Sequence, residues 1–71
     1  MATTKDLKLR LRAHIEHRMR DCRDPALIRS APAFYGDIAY GAIWAANAVD
    51  AITDSERDAY LNELHPIRIA A

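Results

Sequence analysis

The chain has 71 residues, 51% of them hydrophobic and 28% charged, with 10 basic and 10 acidic side chains in balance. That length holds one domain, residues 1–71, with a thin stability margin, because a chain this size buries only about 60% of its unfolded surface. Zero net charge excludes a highly basic nucleic-acid binder, the lone Cys22 excludes an internal disulfide, and so short a chain walls no deep catalytic cleft.

From Thr4 to Cys22 there is neither glycine nor proline, and Leu7, Leu11, Ile15, Met19 and Cys22 fall on one stripe of a 3.6-residue helix. The opposite face carries i,i+4 pairs of helix-compatible order, Asp6–Arg10, Arg12–Glu16, Glu16–Arg20 and His17–Asp21. Leu9 falls among them. Asp24-Pro25 ends the run, since proline drives the preceding residue out of the helical region. Pro25 to Ser30 reads as a short helical turn or connector.

A second helix starts at Ser30-Ala31-Pro32, with proline in its first turn, and is expected to run to about Ile52. Its main stripe reads Phe34, Ile38, Ala42, Ala45, Val49 and Ile52. Gly36, Ala39, Gly41, Ala46, Ala48 and Ala51 are small and permit close approach by another helix. A helix apolar nearly all round is normally surrounded by protein. A bilayer is the poorer host, because Asp37 and Asp50 would each cost about 2.5–3.5 kcal/mol at its centre.

Thr53-Asp54-Ser55-Glu56 is a capping box, closing the second helix and opening a third in a tight corner. The third carries Arg57, Tyr60, Leu61 and Leu64 on one side and is expected to stop before His65-Pro66. The N-terminal residues are charged by Lys5 and lack the apolar run of about 7–15 residues that a secretory signal needs. An unpaired cysteine fits a reducing compartment. The expected location is the cytoplasm, with no membrane partner.

The charge is divided. Residues 1–29 hold eight basic and four acidic side chains, and residues 30–71 hold two and six, so the halves stand at +4 and −4. Such a chain suits folding of its halves together or pairing with a second copy.

Chemistry-bearing constellations are few. His14, His17 and Asp21 have helical spacing for a metal, but Arg10 shares their face, and two nitrogens and one oxygen make a poor ligand set. Cys22 lies on the apolar stripe and reads as packing. Gly36 and Gly41 fall inside a helix and form no phosphate loop. The expectation is therefore no enzyme, no metal and no cofactor. The basic residues of the first helix encircle it, and the third helix carries Asp54, Glu56, Asp58 and Glu63, which phosphates repel. A small DNA- or RNA-associated regulator using the first helix is the alternative.

The most informative feature lies on the second helix. Asp37, Tyr40, Trp44 and Asn47 follow one another at spacings of 3, 4 and 3 and share a face opposite the aliphatic stripe. Tyrosine and tryptophan anchor protein interfaces. The competing reading packs Trp44 on the first helix.

The run from Tyr40 to Leu64, an alanine-rich aromatic helix, an Ile-Thr-Asp-x-Glu corner and an amphipathic helix, resembles the small helical early proteins of bacteriophages and other mobile elements. In size and helical plan it is similar to phage quorum-sensing anti-activators, which bind a host transcription regulator and block it. The resemblance implies a protein-binding inhibitor and assigns no residue. The sequence thus predicts an all-α chain of two long helices and a shorter third, completed by a homodimer through the first helix and the small-residue face of the second. Tyr40, Trp44, Asp37 and Asn47 are expected to contact a host bacterial protein, with Arg12, Arg20 and Arg23 as electrostatic partners.

Overall fold

The computed structural model describes residues 3–70 and is all-helical, with no strand among them. Helix α1 spans Thr4–Cys22, α2 Pro25–Ser30, α3 Pro32–Ala48 and α4 Asp54–Ala70. Each long helix begins for a local reason. Thr3 caps α1 by accepting from the Asp6 amide, while the Asp6 carboxylate accepts from the Thr3 amide. Asp24 caps α2 through the Ala26 amide, and Pro25 and Pro32 occupy first-turn positions where a missing N–H costs nothing. The capping box at Thr53 forms as read: the Glu56 amide donates to Thr53 Oγ1 at 3.1 Å, and the Thr53 amide donates to Glu56 Oε1 at 3.0 Å.

Helix α3 is the middle element and packs on both α1 and α4. Ile15, Met19 and Cys22 of α1 meet Ala39, Ile43 and Ala46 of α3 and Leu64 of α4, with Ala51 and Ile52 filling the corner. Gly36 lies where α4 ends, and a Cβ there would sit 3.5 Å from Arg68 and Ile67 carbons. Helices α1 and α4 reach each other through long polar side chains. Arg12 makes a two-pronged bond to Glu56 at 3.0 and 2.6 Å, Arg23 another to Glu63 at 2.6 and 3.0 Å, and the Tyr60 hydroxyl donates to Glu16.

Several expectations are corrected. Helix α3 ends at Ala48 and not near Ile52, because Asp50 adopts a left-handed φ of 60°. The Ala51 amide returns to Ala46 O at 2.8 Å and the Asp50 amide to Asn47 O at 3.1 Å, which is a Schellman termination. Helix α4 does not stop before His65-Pro66 but continues to Ala70, so it is as long as α3 at 17 residues each. Pro66 faces solvent, and Ile67 beyond it packs against the core, which holds the last turns in place.

The rotation of α3 also differs from the expected stripe. Gly36, Ala39, Ile43 and Ala46 face inward, whereas Phe34 and Val49 are 59% and 51% exposed. Small residues win the interior because α3 must admit a helix on each flank. The small-residue face expected at a dimer seam is therefore largely used within the chain, leaving Gly41 and Ala48 outside. Leu7, expected in the core, is 51% exposed because the shortened α3 does not cover the first turns of α1. The i,i+4 ion pairs expected along α1 are replaced among the described residues by Arg12–Glu56, Arg23–Glu16, Arg23–Glu63 and Arg18–Asp21.

Candidate functional site

The face predicted from spacing forms on α3, and α4 completes it. Tyr40 and Trp44 stand edge to face with ring centroids 6.3 Å apart. The Arg68 guanidinium lies 3.7 Å from the centre of the Tyr40 ring, and that of Arg57 lies 5.1 Å from Trp44. Both distances are within cation–π range. Arg68 is also held toward Asp37, with Nε 3.7 Å from Oδ1.

Asn47 is tied into its own chain. Its amide donates to Ile52 O and Asp54 Oδ1, and its own oxygen accepts from Arg57. These bonds tie the α3–α4 corner and hold Arg57, which is further paired with Asp54 and Asp58. Asp37 is exposed, Tyr40 half-buried, and Trp44 41% exposed. Trp44 has an α4 arginine over its ring and does not pack on α1 in the way the competing reading required.

The result is a strip of two adjacent aromatic rings with a guanidinium at each end, Arg68–Tyr40–Trp44–Arg57, and carboxylates beyond them. An ordered aromatic presented at low conformational cost is the kind of anchor that protein interfaces use. Sequence reading missed Arg57 and Arg68 because only folding brings α4 against α3. One signal was available: they are the only basic residues of the acidic half.

The three α1 arginines separate. Arg12 and Arg23 are engaged with α4: Arg12 also donates to Ala51 O at 3.0 Å, and each has its guanidinium pKa raised, chiefly by its bond to Glu56 or Glu63. Arg20 is exposed and belongs to no ion pair among the described residues. Cys22 is buried and donates to Tyr35 O, and burial first, then Asp21 and Glu63, push its pKa up, so it remains a thiol. Among the described residues no group of three or more His, Cys, Asp or Glu is placed to hold a metal ion, and no helix is long and apolar enough to cross a membrane.

A second surface feature was not read from the sequence. Leu7 and Leu11 of α1 and Val49 at the end of α3 line an apolar groove of about 560 Å³, rimmed by Thr4, Lys8, Arg10 and His14. Comparisons with family models, curated proteins and solved structures find no match for the chain.

Proposed function

We propose that the chain is a non-enzymatic protein-binding module of a phage or mobile element, which inhibits or modulates a host bacterial regulatory protein from the strip on α3 and α4. The observation that carries this reading is the exposed Trp44, braced by Tyr40 and capped by Arg57. A tryptophan held in one orientation and left accessible gives a partner a large contact area without further ordering cost. The resemblance of Tyr40–Leu64 to phage anti-activators supports a transcription regulator as the partner class. A homodimer acting in the cytoplasm belongs to the same reading.

The test is affinity capture from a bacterial lysate with the wild type, Trp44→Ala and the exposed-site control Leu9→Ala, followed by direct titration of the captured regulator. Loss of a hot-spot tryptophan costs on the order of 2 kcal/mol or more, about thirtyfold in affinity. Binding by wild type and Leu9→Ala, with Trp44→Ala weakened by that factor, supports the reading. Equal binding by all three, or retention of nucleic acid alone with a steep loss on adding salt, overturns it.

A further inference from the structure

One wall of the apolar groove runs along α1 from Thr4 to His14, and Val49 at the end of α3 forms the other. At 1.5 Å per residue that wall is about 15 Å long, or about three helical turns. Leu7 and Val49 are each 51% exposed and Leu11 is half-buried, so aliphatic side chains face outward along its length. The titratable groups at its rim are all bases, Lys8, Arg10 and His14, and no carboxylate lines it. These three belong to no ion pair among the described residues, whereas Arg12, Arg18, Arg23, Arg57 and Arg68 are each matched with a carboxylate. Asp6, the neighbouring acid on α1, is turned to the Thr3 amide as a cap. Exposed apolar surface and uncompensated positive charge thus coincide at the groove.

We propose that the groove docks an acidic amphipathic helix of a partner protein, with the helix's apolar stripe on Leu7, Leu11 and Val49 and its flanking carboxylates against Lys8, Arg10 and His14. Helix-in-groove recognition requires an apolar trough of a few turns, and charge at the rim selects the partner and its orientation. Two walls leave one side of the occupant open to water. That suits a helix with a polar back, whereas a small ligand is enclosed over most of its surface. A nucleic acid would answer the charge and leave the aliphatic trough unfilled, and a flat bilayer surface does not enter a concave one. Exposed ion pairs contribute little each, so the leucines and Val49 carry the affinity and the bases the choice of partner. The groove lies between α1 and the end of α3, and the Tyr40–Trp44 strip between α3 and α4, so the two sites are independent.

The probe is a displayed library of helix-forming peptides about four turns long, randomised on one face and its flanks and selected on the wild-type protein. The binders are titrated against the wild type, Leu7→Asp, the charge reversal Lys8→Glu/Arg10→Glu, Trp44→Ala and Leu9→Asp. Leu9 is a comparably exposed leucine of α1 outside the groove, and its variant adds the same charge as Leu7→Asp. Circular dichroism establishes that each variant keeps its helix content. The selected peptides are expected to carry apolar residues at i, i+3 or i+4, and i+7, flanked by Asp or Glu. Leu7→Asp and the charge reversal should each weaken them at least about tenfold, while Leu9→Asp and Trp44→Ala bind as the wild type does. A library that yields no binder, binders with basic or neutral flanks, or binders indifferent to Leu7→Asp overturn the proposal. Binders lost with Trp44→Ala belong to the strip and overturn it as well. Solution mass supplies the remaining outcome: a wild-type dimer that Leu7→Asp halves, with Leu9→Asp unchanged, puts a second copy in the groove and overturns the partner helix.

Discussion

Asp50 is the one described non-glycine residue with positive φ, at 60°. A side chain in that region crowds the backbone, and aspartate tolerates it better than most residues without removing the cost. The position is nevertheless fixed, because the Schellman bonds to Ala46 and Asn47 terminate α3 there and turn Ala51 and Ile52 into the core. Asp50→Gly should therefore stabilise the fold by about 1 kcal/mol. The check is a urea titration, in which the midpoint rises at unchanged slope. The same residue explains one misreading. Helix ends are recognised by glycine or asparagine, and Ala-Val-Asp-Ala-Ile offers neither. The aromatic face was legible for the opposite reason: Asp37, Tyr40, Trp44 and Asn47 are neighbours within one helix, and spacing alone brings them together.

Among the elements, α4 shows most clearly how local and distant interactions combine. Its first turn was legible because Thr53 and Glu56 are three residues apart. Its ion pairs were not, since Arg12 and Glu56 are separated by 44 positions and meet only once α3 has brought α1 and α4 together. The Glu56 carboxylate accepts from Arg12 first and from the Thr53 amide second, which lowers its pKa from 4.5 to about 2. Arg23 lowers that of Glu63 in the same direction. A carboxylate whose pKa is depressed by folding contributes stability that is present above its ordinary value and is lost as pH falls through its folded value. Thermal melts across pH should accordingly show stability declining from about pH 4.5 toward pH 2. Glu56→Gln should lower the melting temperature at neutral pH and flatten that decline. A wild-type curve level down to pH 2 would show that the pair contributes nothing on folding. Salt should weaken the effect, because both partners are solvent-exposed.

At the scale of the whole molecule, the number of helices in a chain this short matters more than their identity. Among the described residues, three long helices leave only Ile15, Met19, Ile43 and Leu64 as large side chains in full burial. The all-α class followed from periodicity and punctuation, but the rotation of α3 did not. A helix apolar all round has no polar face to mark which side is out, and the choice fell to how closely α1 and α4 could approach. At roughly 0.05–0.15 kcal/mol per residue, a chain of 71 residues has a stability of about 4–10 kcal/mol. Ile43 is fully buried on the middle helix, and its truncation to alanine should cost about 2–5 kcal/mol, a fifth or more of the whole. Ile43→Ala should therefore melt well below the wild type at the same protein concentration. Melts of both proteins followed by circular dichroism provide the measurement, and coincident melting temperatures would show that Ile43 contributes little to the packing of the three long helices.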